Sequence, residues 1–165
     1  MAQQPPIVDG LAGPLQFAVD GGPYITAGQI AARDPVTGVD TTGFHRLMLK
    51  GKNRLGVSLH SRRRMYEFQR RAEERGEALP AAVIIGTHPL HYMGSMVYAY
   101  PPRVRKMEII GGLFGEPYRV AAGGTPEDAA TRGSVSTAGA FPSRRHRHQL
   151  QVGGGAGGAR PRQLE

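Results

Sequence analysis

The 165-residue chain contains no cysteine and no tryptophan. Lack of cysteine excludes a disulfide framework and a thiolate metal site, and it fits a reducing, cytoplasmic setting. No apolar run approaches bilayer length, and the opening MAQQPPIVDG has neither the basic nor the apolar region of a secretory leader. A soluble protein without membrane attachment is expected. Acidic residues are also scarce, 13 against 21 Lys and Arg, for a net charge of +8. The excess is uneven. Residues 1–130 hold 15 cations against 12 carboxylates, whereas residues 131–165 hold 6 against 1. Because the larger part lacks a basic stripe interleaved with aromatics, nucleic acid is disfavoured as a partner.

What is present concentrates between residues 24 and 76. Two extended segments, 24–33 and 44–49, flank Asp34-Pro35-Val36-Thr37-Gly38, where proline presets a negative φ and glycine supplies the positive φ that closes a turn. A second turn at residues 50–53 leads into 54–59, in which Leu55, Val57 and Leu59 alternate as one buried strand face. The period then changes: Ser61 is placed to cap a helix in which Met65, Phe68 and Ala72 recur at helical spacing until Gly76. Arg62, Arg63 and Arg64 crowd the first turn of that helix, where the helix dipole already concentrates positive potential. Either they fan into solvent, or they form a seat for a phosphate or carboxylate.

Beyond Gly76, the apolar run 81–86 predicts a central strand, and 87–98 a short helix ended by Pro101-Pro102. His88 and His91 have no third ligand nearby, so packing or solvent contact is expected for them rather than a metal. Segments 106–112 and 118–121 predict further strands. The expected fold class is α+β, a mostly antiparallel sheet or small barrel carrying two packed helices. The expected divisions are a lead-in over residues 1–22, with a possible edge strand at 15–19, a folded domain over 23–126, and a low-complexity, disordered tail over 127–165. His146 and His148 alternate with arginines in that tail and would repel a cation.

The runs GGPYITAGQIAARDPVTG, GFHRLMLKGKNRLGV, RRAEERGE and IIGGLFGEPYRV, in unbroken order across residues 21–126, resemble the UbiD family of decarboxylases. The resemblance implies a split β-barrel of the flavin-binding type, prenylated FMN as cofactor, and decarboxylation of an unsaturated or aromatic carboxylic acid. It places the family's catalytic arginine on Arg46, whose guanidinium can hold a carboxylate through two parallel hydrogen bonds. On the strand expected there, Arg46 alternates with Phe44 and Met48. The family's flavin-binding segment falls on Thr41, Thr42, Gly43, Phe44 and His45, with Gly43 allowing close approach of the backbone. A second cofactor-contacting segment falls on Gly94, Ser95 and Met96, which read equally well as a tight helix turn.

Departures from the family pattern accompany the matches. A divalent metal, Mn or Mg, bridges the flavin phosphate in the family through Asn, His and Glu, and these positions carry Thr41, Arg64 and Lys106 here. The metal is doubtful on that ground: either its site is lost, or Arg64 and Lys106, with Arg63 beside them, neutralise the phosphate themselves. The family's paired glutamates, in a Glu-Gly-Pro-Phe-Gly-Glu type segment, have no counterpart, so the usual proton donor is missing. The chain is expected to be a core fragment. Two roles follow: a carboxy-lyase cofactor domain, or a catalytically incomplete flavin-binding partner that assembles with itself or with a full-length homologue.

Overall fold

A computed structural model describes residues 21–51, 54–59, 63–118, 135–141 and 149–152, the last two segments by their main chain. The elements in order are β1 (Tyr24–Ile25), β2 (Gln29–Arg33), β3 (Asp40–Phe44), β4 (Leu47–Leu49), β5 (Arg54–Val57), α1 (Arg64–Glu74), β6 (Leu79–Ile85), α2 (Pro89–Met96), α3 (Lys106–Phe114), β7 (Val135–Phe141) and β8 (Gln149–Val152). All strand pairs are antiparallel, in the order β1-β4-β5-β8-β7-β6-β2-β3. Two three-stranded sheets, β1-β4-β5 and β6-β2-β3, are thus joined through β8 and β7. Strands β1 and β3 end the order and do not pair with each other among the described residues, so the sheet is not a closed barrel.

The β2–β3 hairpin forms where proline and glycine foretell it. Asp34 Oδ1 accepts from the N–H of Val36 at 3.0 Å and Oδ2 from the hydroxyl of Thr37 at 2.7 Å, while Gly38 closes the turn at φ 71°. Arg71 of α1 also donates to Asp34 Oδ2, tying turn to helix. Burial pushes this carboxyl up, but the Thr37 and Val36 hydrogen bonds and the Arg71 charge outweigh it and hold it below the usual aspartate range.

Register places Ile30 and Ala32 of β2, Ala81 and Val83 of β6, and Thr41 and Gly43 of β3 on one face. On that face Met65, Phe68 and Ala72 of α1 join Ile30, Ala32, Ala81 and Val83 in the core. Burying a side chain such as Met65 or Phe68 contributes ~1.5–3 kcal/mol. Asp40, Thr42 and Phe44 point to the other face. There Phe44 lies against Tyr92 of α2, ring centroids 4.1 Å apart, and Asp40 Oδ1 accepts from the N–H of Met107 in α3 at 3.0 Å. Edge strand β3 therefore sits between α1 and the α2–α3 pair.

Several expected elements differ. The single strand over 24–33 is two, because the chain bends at Gly28, where a Cβ would lie 2.6 Å from Leu47 Cδ1. The strand over 44–49 is also split, β3 ending at Phe44 and β4 starting at Leu47, so Arg46 lies between strands and is exposed rather than alternating with Phe44 and Met48. Segment 106–112 is helix α3, not strand. Its apolar run reads as strand in isolation, but Asp40 binds its first turn and Ile110 packs into the space left by Gly94, so there are three helices among the described residues. Tyr118 is outside any strand, and residues 119–121 and 15–19 lie outside the described ones. Ser61 does too; the α1 N-cap is Arg63. Within the stretch expected to be disordered, residues 135–141 and 149–152 are strands, held by main-chain ladders to β6 and β5 that composition does not reveal.

Candidate functional site

At the end of β3, where the chain leaves the sheet and the N-termini of α1 and α3 approach, there is a cleft of about 750 Å³. Most positions singled out for the site in the sequence line it; Gly94 does not, packing instead against Ile110, and Arg62 lies outside the described residues. Thr41, Thr42, Gly43, Phe44, His45 and Arg46 form one wall, Arg63 and Arg64 come from the start of α1, Ser95 and Met96 from the end of α2, and Lys106 from the start of α3. Ser58, Met65, Val97, Tyr98 and Tyr100 complete the described lining, and the two tyrosines have no signal in the sequence that marks them as site residues. A Cβ added to Gly43 would meet nothing within 4 Å, so the wall there is open to a flat group. The buried hydroxyl of Thr42 lacks a protein partner.

The positive side of the cleft is built in detail. Arg64 Nη1 donates to the carbonyl of Val104 at 2.9 Å, and Nη2 to those of Pro101 and Tyr100 at 2.6 and 3.5 Å. Its guanidinium carbon sits 3.9 Å from the centroid of the Tyr100 ring. Lys106, 2% exposed, donates from Nζ to the carbonyl of Val97 and lies 4.6 Å from the same centroid. Burial, reinforced by the charges of Arg64 and Arg63 and opposed by Asp40, pushes its ammonium down to about 8. Arg63 covers Tyr98 at 5.5 Å.

Among the described residues, none of Arg46, Arg63, Arg64 and Lys106 forms an ion pair. The remaining arginines of α1 and its C-cap all do: Arg70 with Glu67 and Glu74, Arg71 with Asp34 and Glu67, and Arg75 with Glu77. Charge is thus neutralised along α1 and left uncompensated at its start, beside an opening whose described lining contains no carboxylate. Such a cavity favours an anion carrying a flat body: cations at one end, an open glycine and an orphaned hydroxyl along the wall, and an exposed guanidinium at Arg46. The donor set for a divalent metal does not fit. Thr41, Arg64 and Lys106 offer one hydroxyl and two cations where such a metal requires anionic or neutral oxygen and nitrogen ligands.

The paired histidines of the α2 region take structural places. His88 Nδ1 accepts from the N–H of Leu90 at 3.2 Å and caps α2. His91 is fully buried, its Nδ1 2.7 Å from the hydroxyl of Tyr118, and burial pushes its imidazole down to about 4. Ser95 is turned partly away from the cleft by its bond to the His91 carbonyl at 2.8 Å.

The family described as UbiD, 3-octaprenyl-4-hydroxybenzoate carboxy-lyase Rift-related domain, matches residues 3–131. The chain is 53% identical over 70 residues to anhydromevalonate phosphate decarboxylase of Methanothermobacter thermautotrophicus, covering 42% of this chain and 16% of that protein. To the protein of the same name from Methanosarcina mazei it is 37% identical over 107 residues, 63% of this chain and 24% of the other. The fold is similar to that of an evolved dimeric form of the UbiD-class enzyme HmfF from Pelotomaculum thermopropionicum, in complex with prFMN. The TM-score is 0.80 at 27% identity, over 92% of this chain and 40% of that one. The chain spans a quarter or less of the length of these curated relatives. No helix among the described residues is long and apolar enough to cross a membrane.

Proposed function

The chain belongs to the UbiD family of carboxy-lyases, and from that premise we propose that its cleft is the seat of prenylated FMN in a decarboxylase of unsaturated or aromatic carboxylic acids. The observation that carries this reading is the layout of the cleft: residues 41–46 form one wall, with Gly43 open and Arg46 exposed, and the uncompensated cations stand at its positive side. The resemblance to a UbiD-class enzyme known in complex with prFMN supports the same group here. When bound, the cofactor supplies the electron sink for the carbon from which CO2 departs.

In this reading the protein's own residues bind and orient. Thr41, Thr42, Gly43, Phe44 and His45 line the flavin, and the hydroxyl of Thr42 gains the partner it lacks in the protein. Ser95 and Met96 close the α2 side. Arg63, Arg64 and Lys106 hold the phosphate. Arg46 receives the substrate carboxylate in a bidentate grip and releases it as CO2 forms, a task suited to an arginine that is exposed and forms no ion pair among the described residues.

A second role, a flavin-binding partner that is catalytically incomplete alone, is favoured by one observation: the described lining has no carboxylate to return a proton to the decarboxylated carbon. Assembly with a second copy or with a full-length homologue would then supply it.

The test is co-expression with a prenyl-FMN synthase, followed by absorbance and mass spectra of the purified chain and an assay over a panel of acrylic, phenolic and heteroaromatic acids. Flavin near one per chain is expected, with Arg46→Ala retaining flavin and losing CO2 release. Activity that arises only on adding a full-length homologue selects the second role, and a chain that never takes up flavin overturns both.

A further inference from the structure

We propose that the cleft clasps a phosphomonoester directly, through Arg63, Arg64 and Lys106 and without a divalent cation. This rests on the flavin reading above and deepens it, the ligand class being a monophosphate such as that of FMN.

The three positions that would hold a metal in the family are brought to one cleft by three separate elements: Thr41 by β3, Arg64 by α1 and Lys106 by α3. Two of the three carry positive charge. A metal placed among them would meet repulsion where it needs ligands, whereas a phosphate would meet the counter-charges it needs. The cations are fixed rather than free. Arg64 is held by three main-chain carbonyls and Lys106 by one, and both rest on the ring of Tyr100. Carbonyls and an aromatic face orient a cation without neutralising it.

The three bonds of Arg64 use one N–H of Nη1 and both of Nη2, so, among the described residues, the Nε–H and the second Nη1–H are left for a ligand. Lys106 is the first residue of α3, and Arg63 and Arg64 stand at the start of the 11-residue α1, which has no side-chain cap. The N-terminus of α1 therefore adds its dipole to the three side-chain charges, whereas that of α3 is already met by the carboxylate of Asp40. The hydroxyl of Thr42, a residue of the same wall, is buried and has no partner among the described residues.

The test compares FMN with riboflavin, which lacks the phosphate, by flavin fluorescence on the full chain in EDTA and again with added MnCl2. FMN should bind at least tenfold more tightly than riboflavin in EDTA, with manganese changing its affinity less than twofold. Arg64→Gln and Lys106→Gln should erase most of the difference between the two flavins. Arg63→Gln, at an exposed N-cap whose loss spares the core, should reduce it in a chain that still folds. Equal binding of FMN and riboflavin, or a tenfold gain with manganese, would overturn the clasp. Should neither flavin bind, the flavin reading fails by itself, and inorganic phosphate followed by amide chemical shifts in EDTA decides the clasp. Phosphate binding that Arg63→Gln weakens sustains it, and absence of phosphate binding sinks it.

Discussion

Asp40 and Met107 are 67 residues apart, yet the carboxylate of the first accepts the main-chain N–H of the second at 3.0 Å. The bond joins edge strand β3 to the first turn of α3, next to Lys106. It acts as a helix cap supplied from another element, satisfying an N–H that has no partner within the helix. Asp40→Ala should cost ~1 kcal/mol, read as a fall of a few degrees in melting temperature. Asp40→Asn, which keeps an acceptor oxygen, should recover part of that loss.

His91 gives a pH dependence whose direction follows from its burial. Its imidazole titrates at about 4 in the fold, against the ordinary 6.5. Between those values the unfolded chain binds a proton that the native chain refuses, so stability declines as pH falls from about 6.5 to about 4. The full contribution is on the order of 3 kcal/mol. Urea denaturation at pH 7, 5.5 and 4.5 should show the decline, and His91→Gln should flatten it.

Helices α2 and α3 touch through a glycine. A Cβ at Gly94 would come within 2.6 Å of Ile110 Cγ1 and 3.3 Å of its Cα, so neither side chain nor backbone can yield cheaply. Gly94→Ala should destabilise by ~1–3 kcal/mol. Combined with Ile110→Ala, which opens the contact, the loss should be smaller than the sum of the two single changes.

Asp34 is 4% exposed and accepts from Val36, Thr37 and Arg71. Its folded pKa lies below the unfolded value, so its stabilisation is present above about pH 3.9 and is lost as pH falls through the folded value. Asp34→Asn should cost ~1–3 kcal/mol at neutral pH. The gap between variant and wild type in urea midpoint should close in strong acid.

The sequence made the local features plain. Pro35 and Gly38 mark the β2–β3 turn, the spacing of Met65, Phe68 and Ala72 gives the buried face of α1, and the run at 81–86 gives most of β6. What stayed hidden depends on distant partners. Isoleucines 109 and 110 favour a strand when read alone, and only the notch at Gly94 and the carboxylate of Asp40 make that segment a helix. Arg46 reads as a strand residue because nothing nearby announces the break between Phe44 and Leu47. Family resemblance named most of the residues that the fold brings to one cleft, but not the aromatic faces of Tyr98 and Tyr100 beside the cations, since such contacts leave no spacing rule in the chain.

The bridge between the two three-stranded sheets also sets an order of events in time. Strand β5 pairs with its near neighbour β4, and β6 with β2 and β7 with β6 over similar, longer spans, whereas β8 must reach back to β5 from residues 149–152, the longest separation among these pairs. During synthesis the halves β1-β4-β5 and β6-β2-β3 can each assemble while their connecting strands are still inside the ribosome. Contacts of such long sequence separation close late and slowly. Until then the free edges of β5 and β6 are open to pairing with a neighbouring nascent chain. Slow release of residues 135–152, or heating that frays β7 first, would favour domain-swapped dimers in which one chain's β7–β8 ribbon completes another's sheet.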